Sequence, residues 1–366
     1  MHDSNRDRMD PLRKTRLAGM VRRMTAALLL IAALPAAARA HPGSGLVVDR
    51  AGTVYFVVPG SHRIMRVTRD GHASVFVDDG RLRAPHHLTL RSDGALFVAS
   101  DHDGVVWRIH ADGSLEEHFR SAQLPRSAPG FSPFAVGFGG DPFTVDDAGE
   151  VYAVRTILAV EVVRISRTSE VRRLGGETRF GDLHGSSFAW GPEGGLYVTD
   201  TDRVWRVLAD TAVELRPALT WMERIQARLV DLPPWRAMGL ALDSVGNIFV
   251  ADQRQGRVRR LAPNGQENTP AWIAEVRFGQ PTGVTVSGEN VYVLDAGGPI
   301  GGGVWRIGPD GRTLLYGSRR RRLMAMLLLP VFVSLLTVAW SRGYRRRASS
   351  GSGDDAGSVP GTPSVV

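Results

Sequence analysis

One short pattern recurs six times along this 366-residue chain. The copies begin GLVVDRAGTVYFVV (45–58), HLTLRSDGALFVAS (87–100), PFTVDDAGEVYAVR (142–155), SFAWGPEGGLYVTD (187–200), GLALDSVGNIFVAD (239–252) and GVTVSGENVYVLD (283–295). Their starts lie 42, 55, 45, 52 and 44 residues apart. Each copy has an alternating apolar segment, a D-x-x-G or related turn, and a second apolar segment, which is the pattern of two strands joined by a tight turn. Gly or Asn in the turn supplies the positive φ such turns need. A third strand follows, as in HRIMRVTRDG (62–71), GVVWRIHADG (104–113), VEVVRISRTS (160–169), DRVWRVLAD (202–210), GRVRRLAPNG (256–265) and GGVWRIGPDG (302–311). A shorter fourth strand is legible in ASVFVD (73–78), SLEEHF (114–119) and RTLLY (312–316). One four-stranded unit cannot bury both of its faces, whereas stacking units around an axis buries all of them. The expected fold is therefore all-β, a six-bladed β-propeller with four-stranded blades over residues 41–318.

PTGVTVSGENVYVLDAGGPIGGGVWRIGPDG (281–311) and MGLALDSVGNIFVADQRQGRVRRLAPNG (238–265) resemble NHL repeats. The set is also similar to the six-bladed SMP-30/gluconolactonase and strictosidine-synthase-like propellers. The similarity spans roughly residues 43–316 and implies the propeller fold, which hosts many functions. For the lactonases it implies a divalent cation held by a Glu, two Asn and an Asp around the channel. This chain departs from that set. Residues 41–60 contain no Glu, and Asn247, Asn264, Asn268 and Asn290 stand mostly in turns, none at the start of an inner strand.

The formal net charge of +8 belongs to the ends of the chain. Residues 1–40 carry +5 and residues 319–366 carry +6, which leaves about −3 for the repeats and removes the electrostatic case for nucleic-acid binding. MVRRMTAALLLIAALPAAARA (20–40) has a basic start, an apolar run and a terminal A-x-A, the pattern of a signal peptide occupying 1–40. An uncleaved anchor is the alternative. LMAMLLLPVFVSLLTVAW (323–340) is an uncharged run of 18 residues flanked by Arg319–Arg322 and by Arg342, Arg345, Arg346 and Arg347, long enough for one transmembrane helix. The expectation is a single-pass protein of the cell membrane. Its propeller is extracytoplasmic and its Ser/Gly/Asp/Pro-rich tail, 341–366, is disordered in the cytoplasm. The chain has no Cys, and its one Lys is Lys14. Thiolate chemistry and a Schiff-base lysine in the repeats are thereby excluded.

The repeat register brings distant residues to one rim. The first position of the inner strands holds Gly45, His87, Pro142, Ser187, Gly239 and Gly283, and the position before holds Ser44, His86, Asp141, Ser186, Met238 and Thr282. His41 and His184 lie close by. Propellers place function where such loops converge. His86, His87 and His184 are the candidate catalytic bases. Asp141, His86 and His184 are candidate ligands of a divalent cation such as calcium or zinc, which would polarise a carbonyl and activate water. The alternative is that these side chains cap strand ends or line a solvated channel. Two functions stay open: a module that binds an extracytoplasmic protein or small-molecule ligand, and a metal-assisted hydrolase of small esters or lactones.

Other repeat positions read as structural. Asp200, Asp252 and Asp295 end second strands and suit turn or interblade hydrogen bonds. Trp107, Trp205 and Trp305 recur on third strands and suit packing between blades, with Arg108, Arg206 and Arg306 alternating outward beside them. Insertions 121–141 and 216–238 enter at the rim as either a lid or a patch. WMERIQARLV (221–230) has helical periodicity, and Phe131, Phe134, Trp221 and Trp235 would face an apolar ligand beneath a lid.

Overall fold

The computed structural model describes residues 45–317 apart from 59–60, 84, 101–103, 125–135, 138–141, 157–158, 182, 184–185, 201, 216–220, 223–224, 226–234 and 298–301. The expected signal peptide, membrane helix and tail lie outside the described residues. Among the described residues no helix is long and apolar enough to cross a membrane.

Six antiparallel sheets follow one another along the chain. The first holds β1 (Leu46–Val48), β2 (Val54–Val57), β3 (Arg63–Val67) and β4 (Ala73–Asp78); the second β5 (Pro85–Leu90), β6 (Leu96–Ser100), β7 (Val105–Ile109) and β8 (Leu115–Arg120). In the third, β9 (Val136–Gly137) pairs with β11 beside β10 (Phe143–Val145), β11 (Val151–Thr156), β12 (Val160–Ile165) and β13 (Val171–Leu174). The fourth has β14 (Phe188–Trp190), β15 (Leu196–Asp200), β16 (Arg203–Val207) and β17 (Ala212–Glu214). The fifth has β18 (Ala237–Leu242), β19 (Ile248–Asp252) and β20 (Arg257–Leu261), and the sixth β21 (Pro281–Ser287), β22 (Asn290–Asp295), β23 (Gly303–Gly308) and β24 (Gly311–Gly317).

The inner strands form a closed circle. β1 contacts β5, β5 contacts β10, and so on through β14, β18 and β21 back to β1. Six apolar clusters match the six seams, each drawn from two neighbouring blades. The middle strands β6, β15 and β19 are buried along their whole length because each is covered on both faces. Every blade uses one contiguous stretch of chain, so the final seam has no shared sheet. It closes by packing Leu46, Val54 and Phe56 against Tyr292, Leu294 and Val304, with the Phe56 and Tyr316 rings 4.9 Å apart.

Local chemistry explains the strand pairs. At the first turn of blades one, three and five, Asp49, Asp146 and Asp243 each accept from the backbone N–H four residues on, at 2.8, 2.9 and 2.8 Å. Gly52, Gly149 and Gly246 complete those turns at φ of 82, 81 and 84°, a region closed to most side chains.

Blade five departs from four strands. Its outer edge is finished by a single bridge, Leu261 to Glu267, by Asn268 N–H to the Arg260 carbonyl at 2.9 Å, and by Thr269 Oγ1, which accepts from Arg260 N–H at 2.8 Å. Pro270, with no N–H to donate, follows at once and begins the short helix Ala271–Ala274. A side chain thus completes what a fourth strand does elsewhere. The Trp expectation holds: Trp107, Trp205 and Trp305 lie in the seams with the preceding blade. Arg259 takes that position in blade five.

Candidate functional site

The inner strands all begin at one end of the channel, the rim. In β5, Pro85 pairs with Ser100 and Leu88 with Val98, so His86 and His87 together oppose Ala99 across a β-bulge. β18 and β21 carry a bulge at the matching place. An extra residue at this point bends the strand and re-aims its side chains. Here it sets two adjacent imidazoles at the rim, 5% and 3% exposed. The backbones crowd at the same level. A Cβ on Gly45 would lie 2.8 Å from the His86 carbonyl oxygen, and one on Gly239 would lie 2.8 Å from Gly283 Cα.

The rim carboxylates hold loops. Asp200 accepts from Gly181 N–H at 2.7 Å, Asp252 from Arg236 N–H at 3.2 Å, and Asp295 from Gly279 and Gln280 N–H at 3.1 and 2.7 Å. Ser100 takes the same place in blade two and accepts from Arg83 N–H at 3.0 Å. Each ties the connection arriving from the previous blade to the end of its own second strand, as the turn reading expected. Ser187 N–H donates to Thr199 Oγ1 at 2.9 Å; Ser186, just before β14, and Thr282, within β21, are buried. The structure therefore places His86 and His87 side by side. Asp141 and His184 lie outside the described residues. Among the described residues no three His, Asp or Glu side chains converge as metal ligands.

Trp235 corrects one expectation. Instead of facing a ligand under a lid, it is fully buried in the seam between blades four and five, with the Arg259 guanidinium 5.2 Å from its ring centroid. It packs against Arg259, which stands where blades two, four and six have Trp. Trp221, Met222 and Ile225, which are helical, are exposed; Phe131 and Phe134 lie outside the described residues.

The sequence reading missed a cavity at the other end of the channel, among the first turns of blades two, three and four. It holds about 560 Å³ and is lined by Leu90, Arg91, Ser92, Val145, Asp146, Asp147, Tyr152 and Trp190, among others. Clefts at the same end between blades six and one, and five and six, hold about 280 Å³ each. One wall of this cavity is a break in the repeat. Trp190 stands where the other copies have Val48, Leu90, Val145, Leu242 and Val286, and Gly191 stands where three of them have the turn Asp. With no Asp at 191, the Tyr197 hydroxyl donates to Glu193 at 2.6 Å; burial and that hydrogen bond push the phenol up to about 12. The Trp190 indole N–H donates to Thr144 Oγ1 at 3.2 Å, and Thr144 Oγ1 is 2.9 Å from Thr89 Oγ1. Trp190 and Tyr152 meet edge to face at 5.0 Å. The Tyr152 hydroxyl donates to Asp146 at 3.1 Å, and burial with that neighbouring carboxylate raises its pKa. The signal for this site was legible in the aligned copies as the one aromatic residue in an aliphatic column.

No family model matches the sequence, and no curated protein matches it. Solved structures do. A luciferin-regenerating enzyme matches at 14% identity over 75% of this chain and 93% of its own, with a TM-score of 0.51. A protein of unknown function from Bacteroides thetaiotaomicron matches at 14% identity over 72% and 68%, with a TM-score of 0.52. A gluconolactonase from Xanthomonas campestris matches at 12% identity over 73% and 87%, with a TM-score of 0.49. The first two show the propeller fold, at identities too low to transfer an activity.

Proposed function

We propose that this chain is a ligand-binding propeller, anchored by residues 323–340 and facing outward from the cell membrane. The observation that carries the binding role is the turn-end cavity, where the repeat is broken in a way the fold does not require. Five copies satisfy the inner-strand position with an aliphatic side chain. The fourth copy places there a partly exposed indole with its N–H already satisfied. A pocket of about 560 Å³ is in the range that encloses a small molecule. The membrane placement draws on the basic and apolar segments at 20–40 and 319–347.

The test is a small-molecule thermal-shift screen on the full chain in detergent, repeated with Trp190→Leu, which restores the aliphatic column. Compounds that stabilise the wild type and not the variant support the reading. A screen in which every hit acts equally on both proteins removes it. A tag at residue 366 that is protected from external protease supports the orientation, and digestion of that tag on intact cells overturns it.

A second reading, a metal-assisted hydrolase of small esters or lactones, is favoured by the bulge that sets His86 and His87 together at the rim. The Glu, Asn, Asn and Asp set of the lactonases does not fit this chain. In this reading an imidazole takes the proton of the attacking water, and Asp141, His86 and His184 are the ligands of a calcium or zinc ion. Ester or lactone turnover that is lost in His86→Ala and His87→Ala, with bound metal lost alongside, supports it. Turnover or metal content unchanged in both variants sinks it.

A further inference from the structure

We propose that the turn-end cavity takes a small organic cation, an ammonium or guanidinium head on a compact carbon frame; this deepens the ligand-binding reading and rests on it. The aromatic wall is held in place before any ligand arrives. Trp190 is tied through its N–H to Thr144 and braced by Tyr152, so little side-chain ordering remains to be done on binding. Trp is the strongest aromatic partner for a cation, because its ring face carries the most negative potential.

The charges around the cavity have the matching sign. Asp146 is half-buried beside Tyr152. Asp147 stands at the mouth, where the Ser92 hydroxyl donates to both of its oxygens at 2.8 Å. Arg91 is the cation among the lining residues. Its guanidinium is already paired with Asp93 and lies 5.7 Å from the Phe97 ring centroid. A cation entering this space therefore meets two carboxylates and an indole, beside an Arg91 guanidinium already paired with Asp93. An anion would face the two carboxylates. A neutral polyol could use the same hydroxyls but would gain nothing from the charge.

Calorimetric titration of the full chain in detergent tests this with choline as the cation and 3,3-dimethylbutanol as its neutral isostere. Expected is saturable choline binding that weakens at least about tenfold in Trp190→Leu and several-fold in Asp147→Asn. Trp190→Phe keeps part of the affinity, which separates a lost ring from a damaged fold; unchanged melting temperatures provide the second control. The isostere binding as tightly as choline overturns the cation assignment and leaves the pocket a binding site. Absence of choline binding, with a non-cationic screen hit that still depends on Trp190, does the same. Choline binding unaffected by both Trp190→Leu and Asp147→Asn overturns the assignment to this cavity.

Discussion

Arg259 Nε donates to Asp252 Oδ2 at 3.0 Å, and both side chains are closed to solvent, 2% and 0% exposed. In blade four the equivalent bond is made by Trp205 Nε1, which donates to Asp200 Oδ2 at 2.9 Å. One carboxylate position thus serves an indole in one blade and a guanidinium in another. Arg259 adds Glu267 at 2.7 Å and stacks on Trp235, so the buried charge has partners on each side. Burial pushes Asp252 upward in pKa, against the pull of Arg259. Removing one partner leaves the other charged and sealed, so Arg259→Ala should cost about 3–5 kcal/mol in denaturant unfolding. Replacing both, as Arg259→Leu with Asp252→Asn, should recover part of that loss. A single-variant loss below about 1 kcal/mol would show that solvent reaches the pair.

The inner ring depends on backbone contact between blades five and six. A Cβ at Gly239 would lie 2.7 Å from Val284 N and 2.8 Å from Gly283 Cα. Neither is a flexible side-chain end, so Gly239→Ala must push the blades apart. The expected loss is about 1–3 kcal/mol, the usual range for overpacking. Gly80→Ala is the control, since nothing lies within 4 Å of its Cβ position and its φ is ordinary; its melting temperature should match the wild type. Equal effects at both positions would mean that the seam yields freely.

Asp295 holds two backbone donors of the connection into blade six and a third from Gly297 at 3.1 Å. Asp295→Ala leaves the buried Gly297 N–H unsatisfied, at a cost of about 1–3 kcal/mol, while the exposed Gly279 and Gln280 amides turn to water. Asp295→Ser should restore part of the stability, because Ser100 does this job in blade two. Hydrogen exchange at Gly279 and Gln280 reads the effect directly. Their amides should exchange faster in Asp295→Ala than in the wild type, by a larger factor than amides of blade three.

Much of this architecture was legible because the middle strands are largely buried on both faces, and they and the inner strands must repeat their apolar pattern in every blade. Val98, Val198, Val250 and Val293 keep the same register and the same burial. The outer strands carry less signal. They are short and one side meets solvent, so nothing in GRVRRLAPNGQENTP announces that Thr269 and Pro270 replace a fourth strand. Trp235 was misread because its room depends on Arg259, 24 residues away in sequence. The rim candidates follow from register alone, which places residues at one end without fixing which side chains meet. The turn-end cavity needed three turns in space, although one of its walls, Trp190, stands plainly in the aligned copies.

His118 gives the propeller a stability that depends on pH. Its ring packs edge-on against Phe97, centroids 4.9 Å apart, and its Nε2 lies 3.0 Å from the Gly149 carbonyl oxygen. Donating to that carbonyl requires a proton on Nε2, which the neutral ring can supply. Burial lowers the pKa below the ordinary 6.5, and Arg167, Arg91 and Arg108 push the same way against the Gly149 hydrogen bond. The unfolded chain therefore takes up a proton at a higher pH than the folded one. The stability contributed by the neutral ring is fully present above about pH 6.5 and is lost as pH falls from there toward the folded pKa. Wild type and His118→Gln should differ by a constant amount in denaturant unfolding above about pH 7. The gap should narrow, at the expense of the wild type, on going to about pH 5.5. A gap that stays constant across this range would mean that the imidazole takes up its proton as readily in the folded propeller as in the open chain.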